Sequence, residues 1–161
     1  MTNSKLKILI CLIITAIVVA ADQITKECAN ATLVYGEPVN LLAGIRLVLV
    51  RNSGAAFGIL SNQSGWQVWF LIGVSVLAIF ALCFWILVNK EEQLIYLLSL
   101  TFVLSGAVGN LIDRVRFGFV IDFISLYYKS WAWPTFNLAD SAICLGAAVL
   151  ILCSIWPERR L

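Results

Sequence analysis

Two aspartates, Asp122 and Asp140, stand where apolar stretches meet polar loops in a chain that is 61% hydrophobic and 12% charged. A carboxylate at a membrane boundary is penalised, by about 2.5–3.5 kcal/mol if driven to mid-bilayer, unless a partner or a function offsets it. Asp122 lies between Ile121 and Phe123, apolar neighbours that lower the local dielectric. Asp140 falls in the first turn of an apolar helix that Pro134 precedes and Asn137 can cap, a place where the helix dipole by itself favours an acid. If the two face each other, they cannot both ionise cheaply and share one proton. One carboxylate then takes a proton from a water attacking a peptide carbonyl, while its protonated partner polarises that carbonyl and later helps release the amine. That chemistry is aspartyl proteolysis, and it requires no histidine, metal or covalent intermediate.

The composition removes the competing chemistries. Histidine is absent, which excludes Ser-His-Asp and Cys-His catalysis, His-ligated zinc and the H-E-x-x-H site. No metal or cofactor is expected. The five cysteines, Cys11, Cys28, Cys83, Cys144 and Cys153, show no C-x-x-C spacing. Four lie in apolar runs as small hydrophobes, and Cys28 falls in what reads as a polar loop. A net charge of +2 gives no reason to expect a nucleic-acid partner.

Six further polar residues are out of place in so apolar a chain: Asp22, Asn52, Asn110, Asp113, Arg114 and Asn137. Each lies at or beside an outward end of an apolar run or a glycine-rich turn, so they can converge at one depth. Asn110 ends the run Ser105-Gly106-Ala107-Val108-Gly109-Asn110, whose small residues let another helix approach and let the amide bond across the interface. Asp113 and Arg114 read as following the helix end. They serve either as a paired anchor, or with Arg114 holding a backbone carbonyl or a site carboxylate.

The elements that must position these residues follow from hydropathy. With a mean hydropathy of +0.96 over 161 residues, the chain reads as one integral membrane domain, residues 1–161. Four crossings are expected: Leu6 to Ala21, Trp66 to Val88, Gln93 to Ile112 and Leu138 to Trp156. The first is short, needing either snorkelling by Lys5 and Lys7 or a helix that continues past Asp22. A cleavable signal peptide ending at Val19-Ala20-Ala21 is its competing reading. Lys5, Lys7, Arg159 and Arg160 read as cytoplasmic tails, and Lys90-Glu91-Glu92 as a cytoplasmic turn. Arg114, Arg116 and Lys129 count against that orientation unless Arg114 is recruited into a site. In the outward loop 22–65, Ile45 to Val50 alternates as a strand, bounded by Gly44 and by Asn52-Ser53-Gly54. In the loop 113–137, Phe117, Phe119, Phe123, Tyr127, Tyr128, Trp131 and Trp133 suggest an interfacial aromatic segment.

Five blocks, taken together, resemble the bacterial lipoprotein signal peptidases, signal peptidase II. They are Asp22-Gln23-Ile24-Thr25-Lys26, Arg51 to Gly58, Gly106 to Arg114, Gly118 to Phe123 and Phe136-Asn137-Leu138-Ala139-Asp140-Ser141. The resemblance implies an all-α membrane protein: a four-helix bundle with a small extracytoplasmic β-sheet and an interfacial helix in the loops. It implies catalysis by Asp122 and Asp140, supported by Asp22, Asn52, Gly54, Gly106, Asn110, Arg114 and Asn137. Ser105 departs from the second glycine many relatives carry there. The implied substrates are diacylglyceryl-modified prolipoproteins, cut just before the lipidated cysteine in the bacterial inner membrane by a monomer surrounded by lipid.

Two other readings compete. A small proton- or ion-coupled carrier would use intramembrane carboxylates as relays, but would place them mid-span in repeated halves. A membrane scaffold would explain Gly106 and Gly109 and leave Asp122 without a reason.

Overall fold

The computed structural model describes residues 3–54 and 65–155. Its elements run α1 (Asn3–Thr32), β1 (Val39–Leu42), β2 (Ile45–Asn52), α2 (Trp66–Val88), α3 (Leu94–Phe117), β3 (Val120–Tyr128), β4 (Trp131–Ala132) and α4 (Leu138–Ile155). All four helices are long and apolar enough to cross a membrane. α2 keeps the expected limits, and its exposed Trp69, Leu77, Phe80 and Phe84 mark a helix whose solvent is lipid.

The first expected crossing is revised most. α1 is 30 residues long, about 45 Å at 1.5 Å per residue, against a hydrocarbon core of about 30 Å. It runs unbroken through Ala20 and Ala21 and buries Asp22, Lys26 and Ala29, so the stretch resembling a cleavage site is the middle of a packed helix. Asp22 and Cys28 therefore lie on a helix and not in a loop. Hydropathy stops at Asp22 because it scores that side chain alone, whereas here the charge is paired. At the other end of α1, Lys7 Nζ donates to the carbonyls of Glu91 and Glu92 at 3.2 and 2.7 Å, tying the helix start to the α2–α3 turn.

α3 packs against all three other helices, and Leu97, Leu100 and Leu104 form a core with Cys11 and Ile86. It extends five residues beyond the expected Ile112, so Asp113 and Arg114 are helical. Small residues set its distance to α4. A Cβ on Gly106 would overlap the Ala139 carbonyl and approach Ile143 Cγ1 to 2.6 Å. Ser105 is fully buried and turns its hydroxyl onto the Thr101 carbonyl at 2.6 Å, so this position is accommodated. α3 ends at Gly118 with φ 77°, a left-handed stop whose N–H returns to the Arg114 carbonyl at 3.0 Å. The chain then turns directly into β3.

The strands form one antiparallel sheet in the order β1-β2-β3-β4 at one end of the bundle. β2 contains the expected strand. The aromatic segment expected over 113–137 begins as the end of α3 and continues as β3 and β4, and no interfacial helix occurs among the described residues. Ala55 to Gly58, the end of one resembling block, fall outside them, as do Trp156, Glu158, Arg159 and Arg160. The run Val-Ile-Asp-Phe-Ile of β3 is β-branched and aromatic, a strand signal that the aromatic belt obscured.

Candidate active site

Asp122 sits on β3, and its environment depends on an irregularity in β2. Residues Ile45 to Leu47 pair with Leu126 to Ile124, but past a bulge Val50 pairs with Asp122 and Asn52 with Val120. The bulge adds one residue to β2, and side chains alternate faces, so it brings Asn52 rather than Arg51 onto the face of Asp122. Asn52 Nδ2 accordingly donates to Asp122 Oδ2 at 3.1 Å, while Asn52 Oδ1 accepts the Gly54 N–H at 3.0 Å. The Gly54 carbonyl accepts from Arg114 at 3.2 Å, which is the carbonyl-holding role open to that residue. Gly54 itself is buried.

Asp140 reaches the same place from α4. Asn137 caps this helix: its Oδ1 accepts the Asp140 N–H at 2.9 Å, and Asp140 Oδ2 accepts the Asn137 N–H at 3.2 Å. This is a reciprocal capping box with aspartate at its third helical position. The segment before it is clipped to β3 by mutual backbone bonds between Ile124 and Phe136, both 2.9 Å. That clip carries Asn137 against Asp122, to whose Oδ1 its Nδ2 donates at 2.7 Å. Asn110, from α3, supplies the remaining partner, Nδ2 to Asp140 Oδ1 at 2.8 Å. All four carboxylate oxygens thus accept a bond from Asn52, Asn110 or Asn137, and Asn137 touches both acids.

Both acids line one cavity of about 450 Å³, together with Asn52, Asn110 and Arg114. Its other walls are mostly apolar, among them Leu126, Trp133, Pro134 and Ile143. The volume suits a peptide segment, and the polarity is that of a binding cleft with few, converging polar groups. Asp122 is 2% exposed. Burial first, and then the neighbouring Asp140 charge, push its carboxyl up from 3.8 to about 7, against the hydrogen bonds from Asn52 and Asn137 that favour the anion. A water held between a protonated and an ionised carboxyl here would be equipped for acid–base attack on a carbonyl.

Every site residue expected from sequence lies in or beside this centre. Gly106 and Asp22 act one step back: Gly106 lets α4 close on α3, and Asp22 Oδ1 accepts the Ala139 N–H at 2.9 Å. Lys26 and Gln23 escape sequence reasoning, and Asp113 reads there as no more than an anchor. Lys26 is 1% exposed and pairs with Asp22 and Asp113, both at 2.9 Å. Gln23 Nε2 also bonds both of these acids, at 3.1 and 2.9 Å. The available signal was the i,i+4 spacing of Asp22 and Lys26, which is informative only once α1 is known to continue.

The family model described as "Signal peptidase (SPase) II" matches residues 14–156. A lipoprotein signal peptidase from Hydrogenovibrio crunogenus is 42% identical over 89% of this chain and 84% of its own. One from Burkholderia multivorans is 46% identical over 86% and 82%. Among solved structures, a bacterial membrane enzyme determined by the in meso method at 2.3 Å resolution superposes with a TM-score of 0.81 at 30% identity. That match covers 92% of this chain and 89% of the other. The carrier reading finds no support, since the matches are to peptidases and the acids gather at one end of the bundle. The four spans and these relatives fit a bacterial inner-membrane protease, and the chain belongs to the signal peptidase II family.

Proposed function

We propose that this chain is an aspartic endopeptidase, acting as one integral membrane domain over residues 1–161, that removes the signal peptide from diacylglyceryl-modified prolipoproteins. It cuts just before the lipidated cysteine. The observation that carries this reading is the pair itself: Asp122 and Asp140 line one largely apolar cavity, joined through Asn137. Asp140, at the α4 N-terminus, is the better placed to stay ionised, and Asp122, off any helix end, to hold the shared proton. Asp140 takes a proton from the attacking water as the C–O bond forms, and Asp122 gives its proton to the carbonyl oxygen. Collapse of the resulting gem-diol breaks the C–N bond, with Asp140 passing its proton to the leaving amine and Asp122 recovering its own. Asn52, Asn110 and Asn137 orient the two acids, Arg114 fixes the Gly54 loop, and Asp22 and Gly106 hold α4 in place.

The lipid chains of the substrate remain in the bilayer beside the apolar cavity walls, the protein works as a monomer, both termini are cytoplasmic and the site opens toward the extracytoplasmic face. The sheet at the same end of the bundle is placed to hold an extended peptide. Asp122→Asn and Asp140→Asn are each expected to insert and fold while processing of a lipidated precursor falls by several orders of magnitude. Retained cleavage in either variant refutes the catalytic assignment. An unlipidated twin of the same precursor is expected to turn over far more slowly, and equal rates would remove the lipid requirement.

A further inference from the structure

The buried charges behind the two acids do more than cancel one another. Asp22 Oδ1 accepts the N–H of Ala139, the residue immediately before Asp140. Asp113 Oδ2 accepts the N–H of Ile121, the residue immediately before Asp122, at 3.0 Å. Lys26 Nζ bridges the other oxygen of Asp22 to that same Asp113 oxygen, and its third contact is Asn110 Oδ1 at 3.0 Å. One ammonium on α1 therefore links the carboxylate behind each aspartate to the amide that bonds Asp140.

The third contact has a directional consequence. An amide presents an oxygen on one side and an NH₂ on the other, and a flip exchanges them at little steric cost, whereas a lysine ammonium only donates. With Lys26 against it, the oxygen of Asn110 faces α1 and the NH₂ faces Asp140. Asn137 Nδ2 reinforces this from the other side at the longer distance of 3.2 Å. A buried ion cluster is by itself weak grounds for stability, since apolar groups of the same volume often serve as well. What apolar groups could not do is choose the face that Asn110 turns to Asp140.

We propose that Asp22, Lys26 and Asp113 form a positioning frame for the catalytic pair, with Lys26 as the residue that sets the backbone beneath both aspartates and the orientation of Asn110. This rests on Asp122 and Asp140 being the catalytic residues. Lys26 touches neither the cavity nor the substrate, so it acts on turnover and not on binding.

The test measures kcat and KM on a lipidated precursor, and thermal unfolding in detergent, for Lys26→Met, Asn110→Ala, their double variant and the charge-matched Lys26→Met/Asp113→Asn. In the last of these the amide introduced by Asp113→Asn still accepts the Ile121 N–H through its oxygen and the cluster keeps its net charge, while the ammonium and the Gln23 bond to the second Asp113 oxygen are lost. Lys26→Met and the charge-matched variant are expected to lose about 100-fold in kcat, the scale of a small misplacement of reacting groups, with KM unchanged. The Lys26→Met/Asn110→Ala double variant is expected to be slower than Asn110→Ala, but by clearly less than the product of the two single effects, because the orientation of Asn110 is an arm that both substitutions remove. Asp122→Asn and Asp140→Asn run alongside. If those remain active, the catalytic pair is wrong and this inference goes with it. If they are inactive, wild-type kcat in the charge-matched variant, an effect confined to KM, or full additivity with Asn110→Ala overturns the frame alone. Failure of both Lys26 variants to yield folded protein makes Lys26 a stability residue and overturns the positioning role as well.

Discussion

At the scale of single residues, Asp122 shows what burial does to a carboxyl and what that asks of the fold. Its carboxyl is pushed up to about 7 by burial and then by Asp140, so between about pH 4 and 7 the folded chain holds a proton that the unfolded chain has released. The folded state binds more protons over that window, and stability must therefore fall as pH rises through it, by a few kcal/mol in all, and level off above. Denaturation in detergent across pH 4 to 8 is expected to show this decline, and Asp122→Asn to flatten it. The variant is then more stable than wild type at pH 8, although catalytically dead. A wild-type profile that is flat over the window would mean that Asp122 is ionised throughout. Under the proposed mechanism the same proton governs turnover, which is expected to drop about tenfold per pH unit above 7 as the acid of the pair is lost. Legibility at this scale was uneven for a physical reason. Asp122 and Asp140 were visible in the sequence because each is costly where it stands. Lys26 was hidden because it is neutralised by Asp113, a residue far away in the chain that only folding brings near.

Helices and strands carry these groups with different tolerances, and the α3–α4 crossing is the tightest. At Gly106 a methyl group has nowhere to go, because it meets the Ala139 carbonyl and Ile143 where α4 begins. Gly106→Ala must push apart two helices that bring Asn110 and Asp140 to 2.8 Å, and overpacking of this sort destabilises by about 1–3 kcal/mol. Gly146 offers a comparison: a Cβ there meets the Ser99 carbonyl and Val103 Cγ2, deeper along the same interface. Both alanine variants are expected to unfold at lower temperature, but Gly106→Ala to lose far more turnover per folded molecule, since its displacement falls beside the acids. Equal turnover in the two would show that the crossing distance does not set the site. The crossing was legible as a small-residue run, and the limits of α2 were legible from hydropathy alone. The bulge in β2 was not, because one added residue leaves no mark on an alternating pattern yet decides whether Asn52 or Arg51 faces Asp122. β3 was missed for a different reason: its aromatic residues fit a membrane interface and a strand equally well.

For the whole molecule, orientation in the bilayer is where a count of basic residues conflicts with itself, and the fold supplies a reason. At the sheet end, Lys26 is paired with Asp22 and Asp113, Arg116 with Glu27 at 2.8 Å, and Arg114 is bonded to the Gly54 carbonyl. Arg46 lies over the Tyr127 ring, and Arg51 over both Tyr35 and Phe119, with 5.2, 5.6 and 5.3 Å from guanidinium to ring centroid. These cations are committed to acids, carbonyls or aromatic faces, and so count for less as topogenic charges than Lys5 and Lys90 at the opposite end. That supports a cytoplasmic N-terminus and α2–α3 turn, with the sheet and the two acids outside. Cys28 provides a direct test, because it is exposed on the last turns of α1, beyond the reach of a hydrocarbon core about 30 Å thick. In a variant keeping Cys28 and no other cysteine, a membrane-impermeant maleimide is expected to label spheroplasts without permeabilisation. A matched variant with Lys90→Cys in place of Cys28 is expected to label only in inverted vesicles. The opposite pattern would turn the molecule over and put the cavity on the cytoplasmic side, where it would meet signal peptides before they cross the membrane. Processing of exported precursors could not then be assigned to this face.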